Sequence, residues 1–98
     1  MTAILPNQKT AQGAGSDEPF TYTTASGEEF TVSSLAKPFK SAGELRRHRR
    51  DNPVDIAYFV IERDLTKDQL KIIDALDMDE FNEFSKAWAE HSGIDLGE

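Results

Sequence analysis

The chain has 98 residues, a net charge of −7 and a hydrophobic fraction of 38 %, which points to one small domain with a single thin core. A chain this short buries only about 60–65 % of the surface it exposes when unfolded, too little to enclose a deep cleft between lobes. There is no cysteine, so disulfides, thiolate metal sites and thiol catalysis are excluded.

The longest apolar run spans residues 56–61, far short of the ~18 residues that read as a membrane span. Met1-Thr2-Ala3-Ile4-Leu5-Pro6 has neither the basic region nor the long apolar region of a signal peptide. A cytosolic protein without membrane contact is expected. The charge is divided along the chain. Residues 1–36 carry one lysine and four acids, residues 37–50 six basic groups and one acid, and residues 51–98 four basic groups and thirteen acids. A basic band thus separates two acidic parts.

Residues 1–18 mix Thr, Gln, Gly and Ser with few large apolar groups. Such a stretch buries too little surface to offset its ordering entropy, so a flexible arm, dispensable for folding, is expected there and a folded domain over residues 19–98. Gly13-Ala14-Gly15-Ser16 lacks the lysine and the preceding strand of a phosphate loop and reads as a linker. Phe20-Thr21-Tyr22-Thr23-Thr24 and Glu29-Phe30-Thr31-Val32 each alternate around the turn Ala25-Ser26-Gly27-Glu28, predicting a β-hairpin whose face of Phe20, Tyr22, Phe30 and Val32 needs helices to lie on.

A connector broken by Pro38 leads to Ser41 and Glu44, whose capping-box spacing opens a short helix through Arg50. Asn52-Pro53 opens the next helix, with Asp55 in its first turn. Its residues Ile56, Phe59 and Val60 share one face, and Ala57, Tyr58 and Ile61 cover much of the rest, so this helix is expected to be central. Thr66 with Gln69 begins a third helix carrying Leu70, Ile73 and Leu76. Asp77 with Glu80 begins a fourth, whose stripe of Phe81, Phe84 and Trp88 follows helical spacing. Gly93 fits the left-handed position that ends it. The predicted fold is α+β but mostly α, a short N-terminal hairpin packed on three to four short helices.

Chemistry-bearing constellations are few. His48 and His91 have no nucleophile or acid–base motif near them. His48, inside an arginine run, reads as a surface residue, and His91 as a favourable charge near a helix C-terminus. Asp77-Met78-Asp79-Glu80 would place Phe81 and Asn82 where a calcium loop needs an oxygen ligand and a glycine, so these acids read as helix-start residues. No catalytic residue, cofactor or metal is expected. The binding candidates are the stripe Phe81, Phe84 and Trp88, first of all a core stripe but also a possible anchor, and the basic residues Arg46, Arg47, Arg49 and Arg50. Those four arginines suit an acidic protein partner, the chain's own acidic half, or phosphates.

The C-terminal pattern Phe81-x-x-Phe84-x-x-x-Trp88-x-x-x-Ser92-Gly93-x-x-x-Gly97-Glu98 resembles the end of the tail assembly chaperones of long-tailed, siphovirus-type bacteriophages, particularly those of actinobacterial hosts. The polar N-terminus, short hairpin and compact helices resemble that family's layout over residues 20–98. The resemblance implies a non-enzymatic protein of the host cell cytoplasm that binds the tape measure protein and keeps it soluble. It also implies help in recruiting tail tube protein and absence from the finished virion. Many such genes make a longer form by programmed frameshift, which would be a further partner, and an end at Gly97-Glu98 fits the short product. The alternative from another class is a small regulator that contacts nucleic acid through Arg46–Arg50. Net acidity disfavours that partner.

Overall fold

A computed structural model of the chain describes residues 15–95. Strands β1 (Phe20–Thr23) and β2 (Glu29–Val32) are followed by helices α1 (Ala42–His48), α2 (Pro53–Asp64), α3 (Lys67–Asp74) and α4 (Met78–Ser92). This is the expected α+β, mostly α architecture. Among the described residues no helix is long and apolar enough to cross a membrane.

The strands pair antiparallel with Phe20 opposite Val32 and Tyr22 opposite Phe30. Alternation puts those four side chains on one face, while Thr21 and Thr31 share a 2.8 Å hydroxyl contact on the other. Gly27 closes the turn at φ +90°, a conformation that costs a residue with a Cβ but not glycine.

The hairpin rests on α4. Phe30, Val32, Phe84 and Trp88 are almost wholly buried, and the Phe84 ring lies 5.1 Å from Phe30, 5.3 Å from Tyr22 and 5.3 Å from Trp88. The Trp88 indole donates to the Ser33 carbonyl at 2.9 Å, so its one polar atom is satisfied inside the core. α2 completes the core through Ala57, Val60 and Ile61, with Leu65 just beyond its end and Ile73 from α3. The buried seam of α2 is therefore centred on Ala57, Val60 and Ile61. Ile56 and Phe59 are only partly buried and Tyr58 is about half exposed, because the hairpin and α4 cover one side of α2, α1 covers the Phe59 flank in part, and the Tyr58 flank is open.

The helix starts follow the local sequence, with one twist. Thr66 and Gln69 make a full capping box. Ser41 and Asp77 cap their helices through Glu44 N and Glu80 N, but neither glutamate turns back to its own cap. Glu44 Oε1 accepts from Lys40 N at 2.7 Å and from Arg63 Nη1 at 2.9 Å. Glu80 Oε2 accepts from Ala25 N at 2.7 Å and from the Tyr22 hydroxyl at 3.3 Å, tying the hairpin turn to the first turn of α4. Burial, and then the Glu80 carboxylate, raise the Tyr22 pKa above its ordinary value. Gly93 at φ +72° ends α4. Gly93 N donates to Glu90 O and Ile94 N to Ala89 O, the paired bonds of a Schellman end.

Two expectations are corrected here. Residues 1–14 of the expected arm lie outside the described residues, but residues 15–18 pack on the domain. Ser16 N donates to His91 O at 3.0 Å, Ser34 Oγ donates to the Ser16 carbonyl, and His91 Nε2 donates to Glu18 O at 2.7 Å. The domain thus begins a few residues before position 19. The reason is a polar seam invisible to apolar periodicity: Ser34 and Ser92 are buried, 3.2 Å apart, and Ser92 Oγ accepts from Leu35 N. His48 is the second correction. Its ring lies 4.0 Å from Phe59 and 6.1 Å from Phe39, with Nδ1 at 2.8 Å from Asp51, so it packs into an aromatic layer rather than facing solvent.

Candidate functional site

α2 carries different neighbours on its two flanks. At 3.6 residues per turn, Ile56, Phe59 and Arg63 lie on one flank and Val54, Tyr58 and Ile61 on nearly the opposite one. The first flank holds α1. Arg63 bonds Glu44 and Asp64 at 2.9 and 2.8 Å, reaches the Pro38 carbonyl at 2.6 Å, and sits 5.2 Å over the Phe59 ring.

Asp64 in turn accepts from Ser33 N at 2.8 Å. Burial alone would raise the Asp64 pKa, but the bonds from Arg63 and Ser33 outweigh it and hold the carboxyl below its ordinary range. Glu44 is held low chiefly by the Lys40 N–H, and further by Arg63 and Arg47. Burial works against the charge of Arg63, yet its two carboxylate partners raise its pKa overall.

The second flank is open. Val54, Ala57, Tyr58 and Ile61 from α2 face Phe81, Ser85 and Trp88 from α4 across a cleft of about 130 Å³. That is smaller than the ~300–1,000 Å³ of small-molecule pockets and matches a side chain rather than a cofactor. Tyr58 and Phe81 stack at its mouth, centroids 6.2 Å apart and planes 13° apart. Val54 and Tyr58 are 41 % and 48 % exposed, and Met78, one turn before Phe81, is 67 % exposed. Beside them on α2, Asp55 and Glu62 share a stripe with Tyr58 at positions i, i+3 and i+7. Both are exposed, and neither side chain is ion-paired among the described residues.

The aromatic stripe of α4 therefore divides. Phe84 and Trp88 are 0 % and 1 % exposed and hold the hairpin and α2 together. In this conformation no partner can touch Phe84, and Trp88 only floors the cleft. Phe81 alone reaches the surface, paired with Tyr58. Sequence reading missed Tyr58 and Val54 as surface groups. The signal was their i, i+4 spacing beside exposed acids, hidden because the surrounding run is apolar on most positions.

Arg46, Arg47, Arg49 and Arg50 are all exposed. Arg49 Nη1 donates to the Arg46 carbonyl, and none of the four is in an ion pair among the described residues. The band lies on α1 and just beyond it, beside the Phe59–Arg63 flank, so the structure does not bring it together with the α2–α4 cleft. Among the described residues no group of three His, Asp or Glu is placed to hold a metal. No protein-family model matches the chain, and no curated protein or solved structure matches it.

Proposed function

We propose that this chain is a tail assembly chaperone of long-tailed bacteriophages. In this reading it binds the tape measure protein in the host cell cytoplasm, keeps its apolar helices soluble, assists tail tube assembly and leaves before the virion is complete. The observation that carries the reading is the open cleft between α2 and α4, lined by Val54, Tyr58 and Phe81, with exposed Met78 one turn before Phe81, on a strongly charged domain. Contiguous apolar surface rimmed by polar groups marks a site for protein partners, and a groove between two helices accepts the apolar face of a third. The C-terminal pattern from Phe81 to Gly93 supports the same family, and the arginines on and just beyond α1 add a second, charged contact. Holding would be passive and reversible, without chemistry.

The test is co-expression with a tape measure protein encoded beside this chain. The wild type is expected to raise that partner's soluble fraction and to co-purify with it. Tyr58→Asp, and separately the reversal of Arg46, Arg47, Arg49 and Arg50 to Glu, are expected to weaken the association while the domain stays folded. A wild type that neither binds nor solubilises the partner would overturn the reading.

One observation favours a second reading. Four exposed arginines on one short segment, none of them in an ion pair among the described residues, suit phosphate contact, so the chain would be a small regulator that binds nucleic acid. Duplex DNA or RNA bound tightly at low salt, and released steeply as salt rises, would select this reading. The chaperone reading expects no tight binding at physiological salt.

A further inference from the structure

A second hollow shares no lining residue with the α2–α4 cleft. It lies between residues 17–19 and the connector that runs from β2 to α1, and Asp17, Ser33, Lys37, Phe39 and Lys40 are on its wall. Its volume of about 410 Å³ falls within the ~300–1,000 Å³ of small-molecule sites, which the cleft does not reach.

The connector side of this hollow is cationic. Lys37 and Lys40 are exposed, and neither is in an ion pair among the described residues. The carboxylates close by are committed elsewhere, Glu44 to Arg63 and Lys40 N, and Asp64 to Arg63 and Ser33 N. α1 adds a third cation. A Cβ on Gly43 would stand 3.4 Å from Arg47 Nη1 and 3.7 Å from Ser41 Oγ. The Arg47 guanidinium therefore folds back over the first turn of α1, beside the residue that follows Lys40. Like charges gathered this way attract an anion.

Two further groups narrow the choice of anion. Phe39 is only partly buried, and its ring is already fixed by stacking on His48, with planes 12° apart, and by packing on Phe59. A preset ring loses little freedom when a ligand stacks on it. Asp17, on the 17–19 side, is exposed and is in no ion pair among the described residues. A carboxylate there repels a second phosphate and accepts from an amine.

A phosphate, a flat ring and an amine on one small group describe a nucleotide. We propose that this hollow binds a nucleoside monophosphate whose base carries an exocyclic amine. Lys37, Lys40 and Arg47 take the phosphate, the base stacks on Phe39, and Asp17 accepts from the amine, as carboxylates do from the cytosine amine. Two sources present that group: a free nucleotide, and an unpaired residue of a single strand whose backbone runs on along the exposed Arg46, Arg49 and Arg50. A duplex does not present it, because its bases are already paired and stacked. The inference thus stands apart from the client cleft and from duplex binding by the arginines.

The test is titration of isotope-labelled protein at low salt with adenosine, cytidine and uridine monophosphates and inorganic phosphate, followed through its amide resonances. The adenosine and cytidine compounds should shift the amides of Asp17, Lys37, Phe39 and Lys40, and bind at least about tenfold more tightly than the uridine compound or phosphate. Lys37→Gln with Lys40→Gln should weaken adenosine monophosphate about tenfold, and Asp17→Asn should erase its advantage over uridine monophosphate. All three side chains are exposed, and circular dichroism confirms folding; if a variant does not fold, the wild-type affinity ratios decide alone. An oligoadenylate of roughly eight residues separates the sources: tighter binding than the monophosphate makes a strand the ligand, and equal binding a free nucleotide. No shift at about 10 mM adenosine monophosphate, equal affinity for all four probes, or shifts confined to residues 46–50 would each overturn the proposal. So would folded variants that bind like the wild type. Client solubilisation and duplex binding are read separately, so failure here leaves both functional readings standing.

Discussion

The hairpin–α4 half and the α1 side of the molecule are stabilised by different physics. Between β1, β2 and α4 the surface is aromatic and dry: Phe30, Phe84 and Trp88 are at most 1 % exposed, in a continuous set of ring contacts. α1 has no buried residue at all. It is held through one arginine, one glutamate and one histidine, none of them on an apolar stripe. Area removed from water stabilises the first half, and bond geometry positions the second. Segments with few buried apolar contacts open at lower free energy than the core, so the element that carries the arginines is also the one most easily released.

The largest expected effect lies in the aromatic half. Trp88→Ala removes the central ring and leaves a void between hairpin and helices, and it also strands the Ser33 carbonyl. A loss on the order of 3–5 kcal/mol is expected, read from the midpoint of denaturant unfolding. A variant that melts like the wild type would mean that α4 is not the floor of the hairpin, and the contrast between the two halves would collapse.

Much of this architecture is legible in the sequence, and what was missed has a common cause. The hairpin, the four helix starts and the end at Gly93 are local events, set by alternation, by capping residues at fixed spacing and by one left-handed glycine. The burial of Phe84 and Trp88 follows from their spacing. Long-range polar bonds leave no such periodic trace. Glu80 is placed by its cap role, yet its side chain clasps Ala25, fifty-five residues away. Ser34 and Ser92 look like loop and helix-end serines and are core groups, holding Ser16 in place. His48 looks solvated within an arginine run until Phe39 and Phe59 are brought to it in a three-ring cluster. The candidate cleft was only half visible for the same reason. Phe81 stood out in its stripe, whereas Tyr58 was hidden in a run where nearly every residue is apolar and only the packing decides which one stays outside.

Arg63 gives the intermediate effect. Arg63→Ala leaves Asp64 partly buried with Ser33, through its N–H and side chain, as its remaining partner, and a loss of roughly 1–3 kcal/mol is expected for a severed charged hydrogen-bond pair. Hydrogen exchange should show the amides of α1 exchanging faster while those of α4 remain protected. Acid unfolding supplies a second readout. Asp64 and Glu44 have folded pKa values below their unfolded ones, so the unfolded chain binds more protons through that range. Their stabilisation is then fully present above the unfolded carboxylate value of about 4 and is lost as pH falls through the lower folded values. In Arg63→Ala this dependence should become shallower without vanishing, because Lys40 N and Ser33 N still hold the two carboxylates. An unchanged slope, or α4 opening together with α1, would show that the ion-paired side is not a separate unit.

The smallest effect is expected at Leu45. The side chain is more than half exposed on a helix without buried residues, so Leu45→Ala removes little buried area, and alanine is the better helix former by a small margin. Surface substitutions of this kind fall within about ±0.5 kcal/mol, and the melting curve of dilute protein should match that of the wild type. A loss well above that size would mean that Leu45 packs on its own domain, giving α1 an apolar anchor and removing the contrast with the aromatic half.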